Sequence, residues 1–271
     1  MNIFNLIESL DNKDSKLKEH TDLSNRREVF RSLGEFGKKL ALGTFTVGAA
    51  TVASSQKAMA SHNSAVVDVL NFALLLEHLE ADFYEMALDS GVIPSGTQPI
   101  FMQIGKHERQ HVNFLMKTIS ALGGMPIEKP GFDFTAKGMF MPFSNYGQFL
   151  SLAQAFEDTG VRAYKGQAGN LIGYDEVLTA ALQIHSVEAR HAARVRRLRG
   201  VQSWYLRTAN DRNVEAVYAG ETPENNVMQG GVDLTMIVSD PMISRTDVEE
   251  SFDEPLTREE VTAIASLFIV A

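Results

Sequence analysis

The sequence contains no cysteine among its 271 residues. This absence excludes disulfide bonds, thiolate catalysis, iron–sulfur clusters and cysteine-ligated zinc. The fold must therefore depend on side-chain packing, on a metal, or on both, and 44% hydrophobic residues are enough for one core. Any metal site in this chain must be built from oxygen and nitrogen ligands.

Basic residues are also scarce, and the formal net charge is −9. The deficit is greatest in residues 201–271, which hold four Lys and Arg against 13 Asp and Glu. Because nucleic-acid binding needs a basic surface that meets the phosphates, we do not expect a nucleic-acid partner. We interpret the acidic segment as a solvated surface that favours solubility, in preference to a cation-attracting tail.

The chain lacks a run of about 20 consecutive apolar residues, which a membrane-spanning helix needs, so we expect no stable membrane span. Its N-terminal apolar run, residues 40–53, has 14 residues and follows the pair Arg26 and Arg27. An A-x-A cleavage signature lies at 58–60. We therefore predict that residues 1–60 form a twin-arginine export signal, which places the protein in the periplasm or outside the cell. The alternative is an amphipathic N-terminal helix or a disordered tail.

The most informative feature that is present is a repeated pattern of glutamate, tyrosine and histidine. A glutamate is followed by a tyrosine after seven residues and by a Glu-x-x-His motif after 31, and the whole pattern recurs 80 residues later. A single Glu-x-x-His motif arises often by chance, whereas two with matched upstream residues are a specific signal. The first copy is Glu77, Tyr84, Glu108 and His111, and the second is Glu157, Tyr164, Glu188 and His191.

Helix geometry explains why this spacing matters. Residues three apart share a helix face, so each Glu-x-x-His pair can point at one spot, and seven residues make about two turns. Four helices that bring these faces together would place four carboxylates and two imidazoles in one interior. That is the ligand set of di-iron and di-manganese carboxylate bundles. The two tyrosines either hydrogen-bond these carboxylates and orient them, or simply pack in the core.

Other interpretations of these residues stay open at the level of sequence. The pattern could be a pair of buried Glu–His ion pairs left from an old duplication. Glu80 competes with Glu77 as the ligand from the first helix, and the matched spacings favour Glu77. We expect Asp82 and Asp158 to face solvent. The unmatched histidines, which we expect at the surface or beside the ligands, are His78, His107 and His185.

The periodicity of apolar residues predicts an all-α protein. Helices are expected at 64–89, from 98 to the Gly-Gly pair at 123–124, at 145–168 and at 174–198. A connection without periodicity, residues 125–144, separates the second helix from the third. Residues 201–256 are expected to be mostly loop, and a capping box, Thr257 with Glu260, opens a last helix. The predicted division is an export signal (1–60), a four-helix bundle (61–200) and a C-terminal extension that packs on it (201–271).

Three segments resemble a known group of proteins. The strings at 71–84 and 187–193 are similar to the ferritin-like superfamily, and in particular to bacterial ferritin-like domain proteins related to plant desiccation-related proteins. Residues 252–260 are also similar to that group. The resemblance implies a ferritin-like four-helix bundle with one long crossover and a dinuclear iron or manganese site. The ligands that it implies are Glu77, Glu108, His111, Glu157, Glu188 and His191.

Two functions are possible as hypotheses. The first is a dinuclear oxidoreductase that acts on O₂ or a peroxide, with ferroxidase, peroxidase or catalase-like chemistry, and Glu108 and Glu188 bridge its two ions. A peroxidase would need an external electron donor, because the chain has no cysteine for a built-in rubredoxin. The second is a non-catalytic envelope stress or desiccation-related protein that binds metal for sequestration or stability. The sequence leaves open the choice between iron and manganese, the substrate and whether the chain forms a homo-oligomer.

Overall fold

The computed structural model describes residues 49–204, 216–238 and 240–270, with side chains from residue 64 onward. The chain divides into two units, residues 1–51 and 52–271, and all of the described side chains belong to the second. The predicted export signal falls mostly outside the described residues, so export and the proposed domain boundaries stay predictions. In the described part of the chain, no helix combines the length and apolar character that a membrane crossing requires.

Four long helices form the all-α bundle that the periodicity predicts. They are α1 (Ala49–Ser90), α2 (Gln98–Ala121), α3 (Tyr146–Ala168) and α4 (Asp175–Leu198). Helix α1 begins at Ala49 instead of residue 64, because no glycine or proline interrupts residues 49–90. The A-x-A sequence at 58–60 therefore lies within a helix. Gly91, with a φ of 75°, ends α1 in the left-handed conformation that glycine adopts easily.

Two apolar clusters fill the interior, and on α2 and α4 the predicted ligand residues lie between them. On α2, for example, Ile104 belongs to one cluster and Leu115 to the other, and Glu108 and His111 lie between these two positions. The aromatic cluster includes Phe83, Phe101, Phe134, Phe149, Phe156 and Phe268. The aliphatic cluster includes Leu70, Leu74, Leu115, Ile119, Leu171 and Ile184.

The long connection between α2 and α3 is held against the bundle at two points. The side chain of Asn71 donates to the carbonyl of Met125 and accepts from the backbone N–H of Ile127, at 3.1 and 2.9 Å. Further along, β1 (Gly131–Phe132) pairs antiparallel with β4 (Ile269–Val270) near the C-terminus. The connection is thus the predicted crossover, with a short strand that its sequence did not predict.

The C-terminal extension contains more structure than the predicted loop. A hairpin joins β2 (Met228–Gln229) to β3 (Val232–Asp233), and a capping box at Ser244 opens the short helix α5 (Arg245–Glu249). The predicted capping box at Thr257 is confirmed and opens α6 (Arg258–Ser266). After α6, the ring of Phe268 meets that of Phe156 on α3 edge to face, with centroids 4.9 Å apart.

Candidate metal centre

Each helix of the bundle contributes side chains to one buried centre. Helix α1 provides Glu77, α3 provides Glu157, and α2 and α4 each provide a Glu-x-x-His pair. The four carboxylates are at most 1% exposed and His191 is 5% exposed, whereas the side chain of His111 is 12% exposed. The structure thus brings together every residue predicted as a ligand, and we call the set the carboxylate–histidine centre: Glu77, Glu108, His111, Glu157, Glu188 and His191.

The centre divides into two halves that share two residues. In each half, one ligand atom from each of four residues lies within 4.8 Å of the others. The His111 half consists of Glu77, Glu108, His111 and Glu188. The His191 half consists of Glu108, Glu157, Glu188 and His191. Because Glu108 and Glu188 belong to both halves, each can direct one carboxylate oxygen to the His111 half and the other to the His191 half.

The distances around the imidazoles show this sharing directly. His111 Nδ1 lies 3.0 Å from Glu108 Oε2 and 3.1 Å from Glu188 Oε1. His191 Nδ1 lies 2.9 Å from Glu108 Oε1 and 3.0 Å from Glu188 Oε2. The remaining glutamates complete one half each, Glu77 at 3.1 Å from His111 and Glu157 at 3.2 Å from His191. The sequence duplication is therefore an approximate two-fold arrangement in space.

Both tyrosines hydrogen-bond carboxylates, and each of them donates to the glutamate of the other copy of the motif. The hydroxyl of Tyr84 on α1 donates to Glu157 Oε1 on α3. The hydroxyl of Tyr164 on α3 donates to Glu77 Oε1 on α1, at 2.5 Å. Each bond leaves the second carboxylate oxygen facing the histidine. The tyrosines thus fix the orientation of the two glutamates that belong to one half only.

The donors in the centre are too few for its acceptors, which is what a cation site requires. Each Nδ1 faces three carboxylate oxygens within 3.2 Å, yet it carries at most one hydrogen. Glu108 Oε1 and Glu188 Oε1 are buried and, although an imidazole nitrogen lies close to each of them, neither accepts a hydrogen bond of suitable geometry. Buried carboxylates are normally paired or bound to metal, because the desolvation of their charge is costly. The residues therefore fit two cations; that they bind them stays a prediction.

Without a cation, protons must balance this charge. Burial raises the pKa of Glu108 to about 8, and the adjacent Glu188 adds to the rise. Burial also raises the pKa of Glu157 to about 7, although His191 opposes it. Burial alone would lower the pKa of His111, but the charge of Glu77 and hydrogen bonds with carboxylates raise it above its ordinary value. A metal ion that enters the centre would displace such protons.

Two residues outside the motifs, His107 and Glu80, make the two halves of the centre unequal. His107 Nδ1 lies 2.9 Å from His191 Nε2, and the two rings stack with centroids 5.2 Å apart. Gln103 Nε2 lies 2.5 Å from the other nitrogen of His107. The position 80 residues after His107 is Val187, so the second motif offers no imidazole for an equivalent contact with His111. His107, expected at the surface or beside a ligand, thus lies beside His191.

Glu80 is the second source of asymmetry. It is 3% exposed, and its Oε1 lies 3.3 Å from where a Cβ on Gly160 would stand. Burial raises the pKa of Glu80 well above its ordinary value, and the charge of Glu157 adds to the rise. Gly160 is the residue 80 positions after Glu80, so the missing side chain in one copy makes room for the carboxyl of the other. Comparison of the two copies position by position would have identified this pair.

Other polar residues near the motifs differ from their expected exposure. Asp158 does not face solvent: it is 6% exposed and accepts from Arg196 at 2.7 Å and from Tyr218 at 2.6 Å. That expectation was wrong because the partners come from α4 and the extension, which a pattern on α3 alone does not reveal. His78, expected at the surface or beside the ligands, is instead buried, and burial lowers its pKa. Asp82 is partly exposed and pairs with Lys129 at 2.6 Å.

A small apolar cavity adjoins the centre at the ring of Tyr164. Its volume is about 20 Å³, and Leu70, Ala73, Leu115 and Ala181 contribute to its lining. That volume holds about one molecule of the size of water. None of the six residues of the carboxylate–histidine centre lines this cavity, so it is a void within the aliphatic cluster and not a part of the centre.

Comparison with known proteins agrees with this geometry. The model of a family described as "ferritin-like domain" matches residues 65–201, just over half of the chain. The matched range includes all of the carboxylate–histidine centre and ends shortly after α4. No curated protein matches the chain closely enough to count as a relative.

Proposed function

We propose that this chain, which belongs to the ferritin-like domain family, binds two iron or manganese ions and acts as an oxidoreductase on O₂ or a peroxide. The observation that carries the proposal is that two four-residue halves share Glu108 and Glu188. Carboxylate and imidazole ligands without thiolates suit iron and manganese. When bound, such a pair of ions exchanges two electrons with O₂ or a peroxide, which ferroxidase, peroxidase and catalase-like reactions all require.

The ligand set also suits the charge of two divalent ions. The four carboxylates carry four negative charges when ionised, and two divalent cations neutralise them without protons. Glu108 and Glu188 would serve both ions, whereas Glu77 with His111 and Glu157 with His191 would serve one each. Tyr84 and Tyr164 keep the terminal carboxylates oriented, and such supporting contacts typically change metal affinity by about 10–100-fold.

The surrounding residues control water and protons. The aromatic and aliphatic clusters close the centre on both sides, so electrostatic interactions inside it are strong. Gln103 and His107 form a chain of polar contacts from an exposed stretch of α2 to the buried His191. Within it, the partly exposed imidazole of His107 is the group that would exchange protons between the centre and solvent, because the amide of Gln103 does not take up and release protons. An electron donor, if the reaction is a peroxidase, must be a separate molecule.

Metal analysis combined with turnover assays tests the proposal. Protein from cells supplied with iron or manganese should contain two ions per chain, and it should oxidise Fe(II) under O₂ or consume peroxide. Glu108→Ala should lose both the metal and the turnover, whereas Glu85→Ala, at an exposed position of α1, should keep them. Metal without turnover would favour the alternative, a non-catalytic protein that binds metal for sequestration or for stability under stress such as drying. The absence of transition metal from the parent protein would contradict both.

The export of the protein is a separate part of the proposal. It is supported by the Arg26–Arg27 pair, the apolar run after it and the A-x-A sequence at 58–60. Because the twin-arginine route carries folded proteins, the metal would be chosen in the cytoplasm before export. Replacement of both arginines by lysine should leave the protein in the cytoplasm of its host. Normal export of that variant would contradict this part alone.

A further inference from the structure

The methionines with described side chains all lie at the surface. Of the 11 methionines in the chain, nine have described side chains, and their exposed fractions range from 40% to 86%. Methionine is among the residues most often fully buried in proteins, so this distribution is unusual. The buried apolar residues are instead leucine, isoleucine, valine, alanine and aromatics. The nine are Met86, Met102, Met116, Met125, Met139, Met141, Met228, Met236 and Met242.

These methionines are spread over several elements of the structure. They occur on α1, on α2, in the crossover and in the extension, and α3, α4 and α6 contain none. What the nine share is contact with solvent, and the relevant property is therefore the chemistry of the thioether.

We propose that the nine surface methionines are oxidation sites that consume hydroperoxide while the fold and the buried centre stay intact. The thioether sulfur attacks one peroxide oxygen, the O–O bond breaks, and an S–O bond forms. The sulfur loses two electrons to give the sulfoxide, and the second oxygen leaves as water or alcohol after it takes a proton. No thiol competes for the oxidant, because the chain has no cysteine.

The structure explains why this modification is tolerated. A sulfoxide is polar, so it would disrupt a core, but at an exposed position its oxygen meets water. Several of these residues are also held through their backbones. Met125 accepts from Asn71 through its carbonyl, and the N–H of Met141 donates to Gln148 at 2.6 Å. Their side chains can change without loss of those contacts.

Treatment of the full-length protein with hydrogen peroxide tests the proposal. Site-by-site mass spectrometry should find one added oxygen at each of the nine methionines, and the thermal unfolding midpoint should change by less than about 2 °C. Leu152→Met is the matched control, because Leu152 is 1% exposed and leucine-to-methionine changes are well tolerated. The introduced thioether should stay reduced while the surface methionines react.

Two results would overturn the proposal. One is that some of the nine stay reduced, or that their oxidation dissociates an oligomer, since those residues would then form an interface. The other is that sulfoxide formation lowers the unfolding midpoint well beyond the stated limit. Peroxide is kept in excess, so that any turnover at the carboxylate–histidine centre does not deplete it and neither readout depends on that turnover. The oxidation proposal can therefore fail while the proposed function stands, and the proposed function can fail while the oxidation proposal stands.

Discussion

Glu108 and Glu188 differ from the other residues of the carboxylate–histidine centre, because each lies within hydrogen-bonding distance of both imidazoles. Removal of a shared carboxylate takes a ligand from both halves, whereas removal of a terminal carboxylate takes one from a single half. The duplicated motif allows a direct comparison of these two kinds of ligand within one protein.

We predict that Glu108→Ala lowers the metal content of both halves, whereas Glu77→Ala affects mainly the His111 half. After dialysis against a weak chelator, the first variant should retain almost no metal and the second about one ion per chain, because one half stays complete. Elemental analysis measures this difference. Equal metal contents in the two variants would show that Glu108 is not shared.

His107 is a supporting residue that only one half has. We predict that His107→Val, which introduces the residue of the matching position 187, weakens metal binding in the His191 half by about 10–100-fold. The reason is that His191 loses the contact that fixes the orientation of its ring. A titration with metal, monitored by calorimetry, should resolve one weakened and one unchanged site. The control His185→Val should leave both sites unchanged, because His185 contacts a backbone carbonyl.

At the scale of residues, the sequence predicts which side chains form the centre better than it predicts the contacts between them. The two motif copies identify all six residues of the centre, since a helix repeat fixes which side chains share a face. The crossing of Tyr84 to Glu157 and of Tyr164 to Glu77 depends on how α1 and α3 lie side by side, which no single-helix pattern contains. The burial of Asp158 was mispredicted for the same reason.

At the scale of elements, α3 connects the centre with the C-terminal extension. Five residues after Glu157, the fully buried Arg162 donates to the carbonyls of Glu254, Ala219 and Thr222 and pairs with Glu224 at 2.9 Å. Gly166, also on α3, allows the backbone of the extension to approach this helix closely, since a Cβ there would stand 2.0 Å from the carbonyl oxygen of Leu256. The extension therefore packs on the same helix that positions Glu157.

We predict that Arg162→Met destabilises the protein by about 3–5 kcal/mol, because it leaves the buried Glu224 without its partner and several carbonyls without a donor. Chemical denaturation measures the change in the free energy of unfolding. Arg190→Met, at an exposed position of α4, is the control and should be nearly neutral. A small effect of Arg162→Met would mean that the extension does not depend on this contact.

The long helices could be predicted because their apolar periodicity extends over many turns. The prediction of a loop for residues 201–256 overlooked two local signals, the capping box at Ser244 that opens α5 and the Gly230–Gly231 turn between β2 and β3.

The strands β1 and β4 could not be predicted, since each is stabilised by a partner distant in the sequence. Gly131 of β1 pairs with Val270 of β4, near the C-terminus. The start of α1 was predicted at residue 64 instead of Ala49, because the periodic apolar pattern begins later in the sequence than the helix does.

At the scale of the whole molecule, the buried charge makes stability depend on pH. We predict that the free energy of unfolding of the metal-free protein falls as the pH rises from about 5 to 8. Glu108 and Glu157 have pKa values raised to about 8 and about 7, so the folded state binds protons that the unfolded state releases at lower pH. Metal should reduce this dependence, because it replaces those protons.

Denaturant titrations at several pH values, with and without metal, check this prediction. The lowered pKa of Glu188, about 2, acts in the opposite direction, but only at pH values below the range considered. A metal-free protein whose stability rises over the same range would show that the carboxylates are ionised and paired in a different way.

The number and position of transition-metal ions per chain test the central claim most directly. Elemental analysis of the purified protein, combined with anomalous scattering from its crystals, should find two iron or manganese ions, each between Glu108 and Glu188 and next to one of the histidines His111 and His191. A protein that takes up no transition metal when iron and manganese are supplied, or that binds it away from these side chains, would contradict the claim.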